Sequence, residues 1–271
     1  MSTQDKLVET IVERILANQA ILDSELDSDQ STGGQEKMAG KMSGLTEFVG
    51  TSPIGDTIGL VIANVDASLA EVMNLKKEYR SLGIIGSRTG AGPQIMAADA
   101  AVKATNTEVV SVELPRDTKG GGGHGVLIVL GGYDVSDVRR AVEVTLDTTP
   151  RQFGDVYGNE AGHIELQYTA RASYALEEAF GAEVGKAYGL IAGCPSAIGV
   201  VMADAAVKAA SVEVISYASP NNGQKFSNEV TLHIKGNSGA VRQAVIAARE
   251  VGKDLLHTLG SEPVNEFPSY I

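Results

Sequence analysis

The chain has 271 residues and 43% hydrophobic content, enough for two ordinary cores, and its 34 acidic against 22 basic residues give a net charge of -12. That balance argues against a nucleic-acid groove, which needs clustered Lys and Arg to neutralise phosphates. The single cysteine, Cys194, cannot form an intrachain disulfide, no apolar run approaches the roughly 20 residues that span a bilayer, and Met1 to Asp5 lacks the basic, apolar start of a signal peptide. The reducing cytosol is therefore the expected compartment, with no membrane and no nucleic acid as partner.

In chain order, Leu7, Val8, Ile11, Val12, Ile15 and Leu16 form one helical stripe with charges opposite, so a helix is expected over 6–22. A Ser, Asp and Gly-rich stretch from Asp23 to Gly40 follows, with too little apolar area to fold alone. Residues 1–44 thus read as a helix on a flexible linker. Such a helix either packs on its own domain or serves as a detachable hook whose stripe is buried against another protein. Met38 or Met42 could start a shorter product.

The rest of the chain is one unit written twice. Ala98-Asp99-Ala100-Ala101-Val102-Lys103-Ala104 is spelled again as Ala203-Asp204-Ala205-Ala206-Val207-Lys208-Ala209, an offset of 105 that also relates Ala67-Ser68 to Ala172-Ser173 and Glu108-Val109 to Glu213-Val214. Self-similarity over such a span predicts two similar domains, 45–150 and 151–260, with a tail over 261–271. In the first copy strands are expected over 58–63, 82–86, 108–114 and 126–130, and helices over 66–78, 93–105 and from Asp134 onward. In the second copy strands are expected near 163–169, 187–192, 212–218 and 229–234, with a last helix over 238–259. Each copy is then an α+β sandwich, a four-stranded sheet with helices on one face. The Asp99/Lys103 and Asp204/Lys208 pairs stand four apart in the favourable acid-first order, which contributes only about 0.2–0.5 kcal/mol each.

Candidate chemistry is sparse. Gly86-Ser87-Arg88-Thr89-Gly90-Ala91-Gly92 joins a strand to a helix but lacks both the Gly-Lys-Ser/Thr of a P-loop and the Rossmann spacing, so a tight connection explains it. His124, His163, His233 and His257 are not at zinc-ligand spacing to one another or to Cys194, and no Gly-x-Ser-x-Gly elbow occurs. No catalytic set, cofactor or metal site within the chain is expected. The loops between the third and fourth strands stand out: Lys119-Gly120-Gly121-Gly122-Gly123-His124 in one copy, Asn221-Asn222-Gly223-Gln224-Lys225 in the other. Such a loop is a floppy insertion or lets backbone groups face a narrow opening.

The repeated Ala-Asp-Ala-Ala-Val-Lys-Ala, the strand Val212-Glu213-Val214-Ile215-Ser216-Tyr217 and Gly239-Ala240-Val241-Arg242-Gln243-Ala244 together resemble the bacterial microcompartment shell domain. The order of elements is similar to its circularly permuted tandem form, over residues 45–271. The resemblance implies two ferredoxin-like domains per chain and a homotrimer that is pseudo-hexagonal and tiles with other shell proteins. It places the chain in a cytoplasmic microcompartment shell around enzymes such as a diol or glycerol dehydratase, which the N-terminal arm could tether, and implies no enzymatic activity. It puts the shell-edge contacts on Lys103, Lys208 and Arg171, with Asp66 where the first copy would carry the arginine, and the central pore on Lys119 to His124 and Asn221 to Lys225. Small openings would lie between the two halves of each chain, near Phe153, Asp155, Val156, Tyr157 and Asn159, with Gly90, Ala91 and Gly125 completing the rim. Asp155, Tyr157 and Asn159 are expected to hydrogen-bond glycerol or 1,2-propanediol there. The alternative is a trimeric ligand-sensing regulator built from tandem α+β domains.

Overall fold

The computed structural model describes residues 45–115, 125–223, 227–265 and 267–271, so the expected helix and linker over 1–44, and Lys119 to His124, Gln224 and Lys225, lie outside the described residues. Leu45–Ile271 form one compact unit. The first copy runs β1 (Phe48–Ser52), β2 (Thr57–Ile62), α1 (Ala67–Val72), β3 (Ser81–Ser87), α2 (Gly92–Ala104), β4 (Glu108–Glu113), β5 (Val126–Gly132) and α3 (Val135–Gln152). The second repeats the order as β6 (Val156–Asn159), β7 (Gly162–Thr169), α4 (Tyr174–Phe180), β8 (Ala187–Cys194), α5 (Ser196–Ala209), β9 (Glu213–Ala218), β10 (Val230–Gly236) and α6 (Ser238–His257).

Both sheets are antiparallel, ordered β1-β2-β3-β5-β4 and β6-β7-β8-β10-β9. Each therefore has five strands rather than the expected four. The extra members, β1 and β6, are short edge strands interrupted by Gly50 and Gly158; each forms a hairpin with the next strand, and β6 also bridges to Val264 through Gly158. Runs of four or five residues with a central glycine carry little alternation, so nothing in their pattern marks them as strands. The first helix is also shorter than the 66–78 expected. Asn74 sits at φ 52, a left-handed conformation that a continuing helix cannot hold, and the chain turns there.

The helices pack onto the sheets through small residues. Ala97, Ala98 and Ala101 on α2 and Ala203 and Ala206 on α5 are buried, and Gly193 on β8 faces Gly199 on α5 so closely that a Cβ on either would strike the other's backbone at 2.7–2.8 Å. The two cores are not separate. Ala172, Leu176, Tyr188, Leu190 and Ala192 of the second copy join Ile85, Ile95, Ile128, Leu130 and Val142 of the first in one buried cluster. Ile164, Leu166, Ile191, Met202 and Ile234 form the second copy's own core beneath Val241 and Val245 of α6.

The last residues are part of the fold rather than a loose tail. Val264 exchanges backbone hydrogen bonds with Gly158 at 2.8 and 3.0 Å. The Tyr270 hydroxyl donates to Gln167 Oε1 at 2.6 Å and accepts from the Tyr168 N–H at 3.2 Å. Asp155, fully buried in the turn after α3, organises this region: it accepts from Arg249 Nη1 at 2.9 Å, the Ser269 hydroxyl at 2.7 Å and the Tyr270 N–H at 3.0 Å. Removing one partner of a buried ion pair strands the other, typically at about 3–5 kcal/mol. Asp155→Ala is expected to lose that much stability and to expose residues 264–271 to carboxypeptidase, whereas Asp155→Asn, which keeps an acceptor, loses less; chemical unfolding and limited proteolysis read both effects.

Candidate functional site

A cavity of about 530 Å³ opens between the copies. Its first-copy wall is the glycine turn Thr89, Gly90, Ala91 and Gly92, with Leu114; the connection adds Phe153 and Val156; the second copy adds strand residues of β7, β8 and β10, with Ala218 and Gly223. The turn is held firmly. Arg88 and Thr89 N–H groups donate to the Gly55 carbonyl, the Ser87 hydroxyl donates to the Gly90 carbonyl at 3.0 Å, and buried Gln94 donates to the Thr89 carbonyl at 3.2 Å. Gly90 has φ +75, a conformation that disfavours side chains, and a Cβ there would meet Phe153 at 2.9 Å. Gly92 approaches the second copy so closely that a Cβ would fall 2.1 Å from Glu165 Oε1.

The polar groups come from the second copy. β7 alternates His163, Glu165 and Gln167 on one face with Ile164 and Leu166, both fully buried, on the other. Glu165 lies opposite Val156 in the ladder and accepts from Gln167 Nε2 at 3.3 Å. His163 Nε2 stands 3.3 Å from Glu229 Oε1. Burial first, and then the charge of Glu229, pushes the Glu165 carboxyl up to about 7. The hydrogen bond that the His163 ring donates to Glu229 raises His163 against the opposing effect of burial. Deeper in, the Tyr188 hydroxyl and His233 Nδ1 are 2.7 Å apart, and burial drops His233 to about 4, so that imidazole is neutral at physiological pH. Burial raises the half-buried Cys194 thiol, which keeps it protonated rather than nucleophilic.

Of the residues expected at the opening, Gly90, Ala91, Phe153 and Val156 line this cavity, together with Gly223, which was expected at the central pore. Asp155, Tyr157 and Asn159 do not. Asp155 is committed to Arg249 and the C-terminal residues, Tyr157 is 9% exposed with Lys253 Nζ 5.1 Å above its ring, and Asn159 donates to the Leu256 and Ser261 carbonyls at 3.1 and 2.9 Å. Strand alternation is the reason: with Val156 facing the cavity, Tyr157 points to the core. Gly125 is buried beside the Ser87 carbonyl and donates to the Pro115 carbonyl at 3.0 Å. Asn221 and Asn222 belong to a tight turn in which Ser219 and Asn222 exchange backbone hydrogen bonds at 2.7 and 2.8 Å.

His163, Glu165 and Glu229 were missed as a group. Their signal is a departure from the repeat, since Ile58, paired with Gly86, stands where Glu165, paired with Ala192, does in the second copy. Among the described residues no cluster of three or more His, Cys, Asp or Glu is arranged to hold a metal ion, and no helix is long and apolar enough to cross a membrane.

Lys103 and Lys208 part company. Lys103 Nζ donates to its own Asp99 and across the copies to the Arg171 carbonyl, and Asp99 Oδ1 accepts the Ser173 N–H at 2.7 Å. Lys208 reaches Asp204 at 2.7 Å, with both side chains facing solvent. Arg171 is exposed.

Comparison with known proteins agrees with this architecture. The family model described as "BMC domain" matches residues 81–161 and 187–264. Bacterial microcompartment shell protein PduB of Salmonella typhimurium is 63% identical over 99% of this chain and all of its own length. The crystal structure of a trimeric bacterial microcompartment shell protein PduB superposes with a TM-score of 0.80 at 60% identity, over 84% of this chain and 100% of that one. EtuB from Clostridium kluyveri gives the same TM-score at 52% identity, over 84% of this chain and 100% of that one. With two such domains in tandem and close relatives matched end to end, the chain belongs to the BMC-domain family of bacterial microcompartment shell proteins, among those of the PduB kind.

Proposed function

We propose that three copies of this chain close into a pseudo-hexagonal plate of a microcompartment shell, and that each copy passes a small polyol through the cavity between its two domains. The observation that carries the second part is the cavity itself. Its floor holds two carboxylates, Glu165 and Glu229, which only accept hydrogen bonds when ionised, beside an imidazole and the Thr231 side chain, while Phe153, Val156, Phe180 and Leu190 give an apolar wall. A vicinal diol supplies two donors to such a carboxylate and lays its carbons on the apolar side. Glycerol and 1,2-propanediol have that chemistry and fit the volume.

Glu165 supports this reading energetically. A carboxylate kept in a cavity where burial opposes its charge weakens the fold, which makes sense where the carboxylate serves a ligand. The shell plate needs no chemistry from the polyol, and the relatives named above are shell proteins. Assembly with other shell proteins, and tethering of a diol or glycerol dehydratase by residues 1–44, complete the proposal.

Crystals soaked in glycerol or 1,2-propanediol should show the polyol in the cavity of every chain, and Glu165→Ala crystals should show less; density confined to a central threefold axis would overturn the passage. Electron microscopy of the chain mixed with hexameric shell partners should show sheets or closed shells, whereas a discrete particle that changes affinity for another protein on adding polyol would favour the sensing regulator. Deleting residues 1–37 should leave shells intact but empty of the dehydratase, and retained cargo would remove the tether. The Glu165 carboxyl has a free value of 4.5 and a folded value of about 7, so it lowers stability progressively as pH rises through that interval and fully above it. Glu165→Gln is thus expected to match the parent near pH 4.5 and to exceed it by about 2–3 kcal/mol at about pH 8 in urea unfolding. Equal stability at both pH values would mean that the cavity does not disfavour the charge.

A further inference from the structure

A second hollow lies next to the first along the same seam. The first cavity is lined by Gly92 of α2, by His163 and Glu165 of β7 and by Phe153 of the connection. A few residues further along the same segments, Met96, Ala100 and Lys103 of α2, Thr169 of β7 and Gln152 join Tyr270 around a hollow of about 280 Å³. Between the two stands Gln167. It is fully buried and lines neither hollow, and a Cβ on Gly92 would fall 3.3 Å from its Cγ.

The Gln167 carboxamide is held from three sides. Its Nε2 donates to Glu165 Oε1, the carboxylate of the first cavity, at 3.3 Å and to the Gln152 carbonyl at 3.1 Å. Its Oε1 accepts from the Tyr270 hydroxyl at 2.6 Å. Turning the amide over would set its oxygen against a carboxylate and a carbonyl, so Tyr270, the donor to Oε1, decides where the group rests. Tyr270 is held in turn. Its hydroxyl accepts from the Tyr168 N–H, its own N–H donates to Asp155, and Ile271 after it is buried in the second copy's core. The first copy solves the same position without polar groups: Leu60, paired with Ile84, stands where Gln167, paired with Leu190, does.

We infer that the two hollows are successive stations of one route along the seam between α2 and β7, that the Gln167 carboxamide is the partition between them, and that Tyr270 latches it shut. A polyol hydroxyl both donates and accepts, so it can take over each hydrogen bond of the amide in turn, which an apolar plug such as Leu60 does not allow. Gln152, which lines the second hollow, keeps a buried Oε1 with no hydrogen-bond partner among the described residues, an acceptor that a hydroxyl would satisfy. The inference rests on the polyol passage proposed above and adds its constriction. Tyr270 is a positioning residue, acting through Gln167.

Two measurements on the full chain test it, one of them free of any ligand. In an infrared pH titration, the band of the protonated Glu165 carboxyl is identified in each protein by its loss on adding Glu165→Gln. Its midpoint should lie at about pH 7 in the parent. In Tyr270→Phe it should move up by about 0.5–1 pH unit, because a released Gln167 no longer donates to the carboxylate, while Glu229 and His163, which also face Glu165, are unchanged. In crystals soaked with glycerol, the parent should hold it in the first cavity only, and Tyr270→Phe and Gln167→Ala should hold it in both hollows. Tyr270→Phe keeps the aromatic ring and decides the latch even where Gln167→Ala is too unstable to crystallise. An unmoved midpoint in Tyr270→Phe, or glycerol still confined to its first cavity, would overturn the latch. Glycerol in both hollows of the parent, or in the first alone in Gln167→Ala, would overturn the partition. Glycerol absent from every crystal would count against the passage itself, and the infrared midpoint would then decide the latch.

Discussion

The structure depends on a buried carboxylate at the join between its two copies. Asp99 is 2% exposed, and its oxygens are satisfied by the Ser173 N–H and by Lys103, whose ammonium also reaches the Arg171 carbonyl. A buried charge is tolerable only when every acceptor finds a donor, so this contact fixes the distance and orientation of α4 over α2. Around it Leu176, Ala172 and Tyr188 complete the first copy's core. The first copy does not bury its apolar face alone, and residues of the second complete its core, so the copies are not two beads on a string.

The cavity follows from that join. The copies are glued where α2 meets α4, while at the other end of α2 the glycine turn meets β7 only through the bare backbone of Gly92. Glycine is required at 92 because the Glu165 carboxylate occupies the space a side chain would need. A turn braced by Gly55, Ser87 and Gln94 cannot collapse to fill the gap. What remains is a hole walled by rigid backbone on one side and by carboxylates and an imidazole on the other. The Phe180 ring closes the inner side, stacked 5.9 Å from Tyr188 and 4.6 Å from His233.

Much of the fold was legible because the message was written twice. Ala98 to Ala104 and Ala203 to Ala209 located α2 and α5, and the alternation in 163–169 located β7, since a repeat at a fixed offset and a period of two or 3.6 are both local signals. β1 and β6 were illegible for want of length, and the end of α1 because a left-handed Asn74 leaves no composition cue. The site was legible only in part. Gly90, Ala91, Phe153 and Val156 stand where the connection between copies places them, but Asp155, Tyr157 and Asn159 looked available only because their partners, Arg249 and Ser269, Lys253, and Leu256 and Ser261, are distant in sequence. A polar residue's partners are a tertiary fact. Glu165 was hidden for the opposite reason, unremarkable until set against Ile58 in the other copy.

That last comparison bears on why a duplicated chain would suit the proposed passage. In a ring of six identical domains, any group placed at one domain boundary appears at all six, and a buried carboxylate such as Glu165 would weaken every contact alike. Duplication separates the boundaries into two kinds. The one inside the chain is held together covalently and by the Asp99 network, so it tolerates Glu165 and Glu229 in its cavity. The one between chains has no covalent link, and the first copy keeps Ile58 at the position matching Glu165. Placing the destabilising polar groups only where the chain itself guarantees the contact lets the ring stay closed while a polar hole persists within each subunit.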